Sequence, residues 1–137
     1  MARCFPPPGR VLLLILVALA LSGCMLISGE TTTIDLVAGG GNLSTTFVSA
    51  EGEAERVLEL GQPALELQVI AMVEVASGDL ELALLQPDGA VAFVVASRPD
   101  TQVTRSGWVR ADAAGRLRYR VSARGARDGA LQLFVAP

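Results

Sequence analysis

Residues 65–75 read Leu-Glu-Leu-Gln-Val-Ile-Ala-Met-Val-Glu-Val. Leu65, Leu67, Val69, Ala71, Val73 and Val75 fall on every second position, with Glu66, Gln68 and Glu74 between them. Successive side chains of an extended chain point to opposite faces, so this spacing predicts a β-strand with one buried face. Downstream, Ser77-Gly78-Asp79 punctuates the pattern, and it resumes at Leu80, Leu82 and Leu84. Gln86-Pro87-Asp88-Gly89 predicts a turn, because Pro fixes φ early and Gly accepts positive φ at the end. Val91, Phe93 and Val95 make the next strand, which ends at Ser97-Arg98-Pro99-Asp100.

The alternation continues to residue 137. Gln102 to Arg110 reads as extended, with a bend expected at Ser106-Gly107. Ala113-Ala114-Gly115 is a turn, and Leu117, Tyr119 and Val121 then alternate with Arg116, Arg118 and Arg120. A last turn is expected at Arg127-Asp128-Gly129, before Leu131, Leu133 and Val135. Upstream, Thr31–Val37 and Ala54–Leu60 add two strands, although the helix formers in residues 51–60 also allow a helical turn or two. Gly39-Gly40-Gly41-Asn42 reads as a loop. About eight short strands with Gly, Pro and Asp turns predict an all-β fold, a single antiparallel β-sandwich.

The chain begins differently. Residues 1–10 carry Arg3 and Arg10, and Val11 to Leu21 is an unbroken apolar run of 11 residues. A membrane-spanning helix needs about 20 such residues, whereas 11 suits the apolar region of an export signal. Leu21-Ser22-Gly23-Cys24 follows and resembles the lipobox of bacterial lipoproteins. That resemblance implies cleavage between Gly23 and Cys24, with diacylglycerol on the Cys24 thiol and often an acyl chain on its new amino group. Each buried methylene contributes about 0.8 kcal/mol, so two or three chains would hold the protein firmly in a membrane. Asp just after the Cys favours inner-membrane retention in that family. Met25 stands there, which implies the outer membrane in a two-membrane bacterium. The expected organisation is a signal at 1–23, a lipid-anchored tether at 24–33 and a sandwich at 34–137, with Ser28 to Thr33 small and polar as a tether would be.

The downstream region is similar to bacterial pre-peptidase C-terminal domains, which are jelly-roll-like sandwiches of secreted proteins. The likeness rests on Ser77-Gly78-Asp79-Leu80-Glu81-Leu82, the Pro87-Asp88-Gly89 turn, Gly115 to Val121 and Asp128-Gly129. It spans roughly residues 52–137 and departs at Ala130, where that family often has an aromatic. It implies a jelly-roll-like fold and no particular activity.

Composition narrows the function. The chain has 11 basic and 14 acidic residues. Loss of Arg3 and Arg10 with the signal leaves nine against fourteen, a net charge of −5. An acidic surface is unsuited to nucleic acid, which needs cationic contacts to phosphate. There is no His and no Lys, and of the two Cys only Cys24 outlasts cleavage. The usual general base, a Ser–Lys pair, a free Cys nucleophile and a disulfide are therefore all missing. No catalytic residue, cofactor or metal is expected.

Three features remain as candidate binding sites. Arg116, Arg118 and Arg120 share one strand face, as either a solvated stripe paired with acids on a neighbouring strand or a patch for an anionic glycan, lipid headgroup or acidic protein. Trp108, the only Trp, belongs either to the core, the commoner fate of a Trp, or to a surface where it stacks on a sugar ring. Asp79, Asp88, Asp112 and Asp128 stand near Gly in turns, where Asp needs no metal, and their spacing matches no calcium loop. The reading is an envelope lipoprotein displaying a non-catalytic sandwich for protein interaction or envelope organisation. The alternative is a carbohydrate-binding module at the cell surface, carrying Trp108 or Tyr119 on a sheet face.

Overall fold

The computed structural model describes residues 24–63 and 65–137. The signal segment, Gly23 included, lies outside the described residues. These residues form seven strands and no helix: β1 (Leu26–Ser28), β2 (Thr31–Val37), β3 (Gly40–Glu59), β4 (Glu66–Leu85), β5 (Val91–Ala96), β6 (Val103–Arg110) and β7 (Arg116–Ala136). All pairings between strands are antiparallel. The fold is an all-β sandwich, as the alternation predicts, but built from fewer and longer strands.

Three strands of about 20 residues each carry the architecture. β3, β7 and β4 lie side by side and bend together, so that one hydrogen-bonded sheet folds over into two layers. The first layer runs β2, the first part of β3, the last part of β7, the first part of β4, then β6. The second runs the last part of β3, the first part of β7, the last part of β4, then β5. The register shifts between Ala50 and Gly52 and between Ser77 and Asp79, and in both cases β7 supplies the extra residue near Gly125. A one-residue bulge bends a strand and increases its twist. Gly52, Gly78 and Gly125 all have positive φ at this crease, and a Cβ on Gly78 would run into the Gly125 carbonyl. Only glycine tolerates that combination.

Two expected turns are thereby corrected. Ser77-Gly78-Asp79 and Arg127-Asp128-Gly129 lie inside β4 and β7 and do not end them. Residues 51–60 are strand through Glu59, not helix. Gly40 to Asn42 opens β3, so the expected loop at 39–42 shrinks to the tight connection at Ala38-Gly39. Ser106-Gly107 does not bend β6. Gly107 instead leaves room for Phe93 of the other layer, whose ring carbon lies 2.6 Å from where a Cβ would stand. The two predicted tight turns hold: Gly89 N–H donates to the Gln86 carbonyl at 2.9 Å, and Gly115 N–H to the Asp112 carbonyl at 3.0 Å. The expected tether at Ser28 to Thr33 is also corrected, since Leu26–Ser28 and Thr31–Val37 both pair with β3.

Both layers contribute to one core. Leu43, Phe47, Leu67, Val69, Val73, Leu131 and Leu133 come from the first layer, and Leu58, Leu80, Leu82, Leu84, Leu117, Tyr119 and Val121 from the second. In β4 the inward set switches from odd numbers (67 to 75) to even (80 to 84) across the crease. At the edge, Arg56 points inward beside Tyr119 and pairs with Glu30, between β1 and β2. The hydrogen bond from Arg56 holds the Glu30 carboxyl below the ordinary carboxylate range, while burial raises the Tyr119 phenol.

Candidate functional site

The two outward faces have opposite chemistry. The outer face of the second layer carries the arginine stripe. Arg116 Nε lies 3.1 Å from Asp112 Oδ2, Arg118 pairs with Glu55, and Arg120 Nε lies 3.8 Å from Glu53 Oε1. Arg118 also donates to the Pro87 carbonyl at 3.4 Å. Ala83 and Leu85, which face outward in register with Arg120 and Arg118, are nonetheless buried. Long arginine stems cover apolar neighbours in this way while their heads reach solvent. Asp112 accepts N–H groups from Ala114 and Arg116, and the Arg116 backbone bond comes first in holding its carboxyl below the usual range. The stripe is brought together as the sequence suggests, with each arginine paired to a neighbouring acid.

The outer face of the first layer has Asp35, Asn42, Phe134, Ile70 and Ser106 in one cross-strand row. The adjoining row places Ala136, Gln68 and Trp108 side by side on β7, β4 and β6. Trp108 is 58% exposed, so the commoner core placement of Trp is corrected. Phe134 and Ile70 are each 39% exposed. A depression of about 360 Å³ lies along this face, with Asp35, Asn42, Gln68, Ile70 and Phe134 among its lining residues. Gln68 links it in register to Trp108. Asn42 Oδ1 is buried without a hydrogen-bond partner among the described residues. Next to Trp108, Gln86 Oε1 accepts the Arg110 N–H at 3.0 Å, which ties the β6 edge to the β4–β5 turn.

Tyr119, the other aromatic considered for a sugar face, is in the core. Phe134 and Asn42 were not legible as site residues. The alternation from Leu131 to Val135 places Phe134 on the outer face, and only the strand order brings it to Ile70. Asp88 Oδ1 accepts the Ala90 N–H at 2.9 Å, so its carboxylate serves the turn, as does that of Asp112. Cys24 is exposed and immediately precedes Met25 and β1. Among the described residues no helix is long and apolar enough to cross a membrane.

No protein-family model and no curated protein matches the chain. Solved structures similar to it include carbohydrate-binding module CBM6cm-2 from Cellvibrio mixtus lichenase 5A in complex with cellotriose, with 16% identity, 82% of this chain, 89% of that one and a TM-score of 0.41. The CBM22-1 xylan-binding domain from Paenibacillus barcinonensis Xyn10C shares 12% identity over 84% of this chain and 85% of that one, with a TM-score of 0.41. A cupin domain of an XRE family transcriptional regulator from Enterobacter cloacae shares 17% identity over 82% and 97%, with a TM-score of 0.36. These likenesses are loose, and the sandwich assignment stands on the strand pairing itself.

Proposed function

We propose that this chain is a lipid-anchored envelope protein that binds a glycan on the outer face of its first layer. The observation that carries the reading is Trp108, an exposed indole flanked in register by the Gln68 amide, with Ile70 and Phe134 beside it. Sugar rings present apolar C–H faces and a rim of hydroxyls. A flat aromatic takes the first, and amides take the second through paired donors and acceptors. Asn42 lines the depression on the same face. Binding would occur where Cys24 holds the domain, which raises its effective concentration at the envelope surface. The lipobox Leu21 to Cys24 supports that anchor, and the outer membrane is the proposed site in a two-membrane bacterium.

Because Trp108 is the only Trp, its fluorescence reports on this face alone. The detergent-solubilised mature protein, titrated with a panel of neutral and acidic soluble oligosaccharides, is expected to show saturable change with at least one. A flat response across the panel would sink the glycan reading. One observation favours a second reading, an assembly subunit docked by strand pairing: among the described residues the outer edge of β2 has no partner. Crosslinking from intact cells would then capture a partner on β2.

A further inference from the structure

β1 and β2 both pair with the same side of β3, and their register is unbroken. Leu26 lies opposite Glu51, Ser28 opposite Ser49, Thr31 opposite Thr46 and Val37 opposite Gly40. They form a single edge strand interrupted only at Gly29-Glu30. Every residue of β2 is exposed. Leu26 is 72% exposed, Ile34 51% and Val37 69%, with Leu36 also open to solvent. Ile34 and Leu36 share the inward side with Leu43, yet the second layer does not reach far enough to cover them. The charges on this strand are Asp35 and Glu30, and Glu30 is neutralised by Arg56.

Natural sheets guard a free edge with charge, Pro, a bulge or a covering segment. The opposite edge follows that rule. β6 carries Arg105 and Arg110, and Gln86 binds the Arg110 N–H. The β1–β2 edge has no Lys, Pro or bulge, and among the described residues its outer backbone groups are unpaired. The segment outside the described residues ends at Gly23, and Cys24 stands two residues before Leu26, where this same edge strand begins.

We infer that the β1–β2 edge lies on the membrane surface, its apolar side chains in the headgroup–acyl boundary and its free backbone groups bonded to headgroups and interfacial water. The inference rests on the lipid-anchor reading. With no tether between the lipid and the sheet, acyl chains on Cys24 bring Leu26 to the bilayer, and the unbroken strand carries Ile34 and Leu36 along it. Unpaired backbone groups are costly in hydrocarbon, so the edge stops at the interface. The first layer then stands on its β2 edge. Four strand spacings separate β2 from β6, so Trp108 is held roughly 19 Å away from β2, on the aqueous side.

The test uses the acylated mature protein in phosphatidylethanolamine–phosphatidylglycerol vesicles. A single spin label is placed at Ile34→Cys, Leu36→Cys or Thr104→Cys, the last on β6. These side chains are exposed, so the labels leave the core intact. Collision with a water-soluble nickel chelate is expected to fall several-fold at 34 and 36 on going from detergent-free Cys24→Ser protein to the vesicle-bound form, and to stay unchanged at 104. Equal accessibility at all three sites in vesicles, with acylation of Cys24 verified by mass, would overturn the inference and leave the anchor standing. An unmodified Cys24 would remove the anchor and the inference together. Shielding at 34 accompanied by dipolar coupling between labels on two copies would assign the edge to a second chain and overturn the membrane assignment.

Discussion

The outer faces of the two layers belong to one sheet, yet they have settled their polar groups differently. On the second layer, Arg116, Arg118 and Arg120 find Asp112, Glu55 and Glu53, and the arginine stems lie over buried Ala83 and Leu85. On the first, Trp108, Ile70 and Phe134 remain open, and Asn42 keeps an oxygen that is unpaired among the described residues. The conspicuous feature of a sequence, here a triple arginine stripe, is thus the one already satisfied within the fold. The quieter face is the one with unspent contacts. Charges paired with neighbours offer little to a ligand, since binding must first break what they have.

That contrast can be broken at its origin, the crease. Gly78→Val places a Cβ against the Gly125 carbonyl at positive φ. It is expected to cost about 3 kcal/mol or more in urea unfolding, and both faces should lose integrity together. A variant with wild-type stability would show that the layers do not depend on this line of glycines. The next effect sharpens the contrast. Trp108→Ala should weaken glycan binding on the order of tenfold while moving stability by less than about 0.5 kcal/mol. Calorimetric titration and thermal unfolding read the two quantities separately, and a large loss of stability would return Trp108 to a structural role. Arg118→Glu should do the reverse. It loses Glu55, sets like charges side by side and uncovers Leu85, lowering stability by about 1 kcal/mol with glycan affinity unchanged. If affinity falls and stability does not, the binding surface is on the second layer.

The smallest expected effect concerns pH. Glu30 has its carboxyl pKa lowered in the folded state by Arg56. Its contribution is therefore present above the ordinary carboxylate range and is lost as pH falls through the lowered value. The pair, about a quarter exposed, should account for about 0.5 kcal/mol, and Glu30→Gln should flatten the dependence of unfolding free energy on pH by about that amount between neutral and acid pH. An identical profile in the variant would assign the acid sensitivity to other carboxylates.

Period-two spacing from Leu65 to Val75 and from Leu117 to Val121 was enough to read the sandwich, and the Pro87-Asp88-Gly89 and Ala113-Ala114-Gly115 turns were readable from their chemistry. The crease was not. Gly78 and Gly125 have the positive φ of turn residues, and only the pairing partners reveal that the strand continues past them. The side Trp108 takes is hard to read for a local reason. In β6 the inward phase runs Val103, Arg105, Gly107, Val109, so a glycine and an arginine blur the alternation. Phe93 fills the space over Gly107 from the other layer, and Arg105 turns its guanidinium to the Val94 carbonyl. Neither compensation is visible along a single strand. The first residues after Cys24 were read as a tether because Ser and Thr are common in linkers. Thr is equally a strand former, and pairing with β3 decides between the two.

β7 is the central strand of both layers and the last of the seven in chain order. Until Arg116–Ala136 has been synthesised, β3 and β4 have no common neighbour and neither layer can close. Before then the earlier strands have only their other pairings, β2 with β3 and β4 with β5 and β6. A fold that withholds its keystone until the end completes both halves with a single strand.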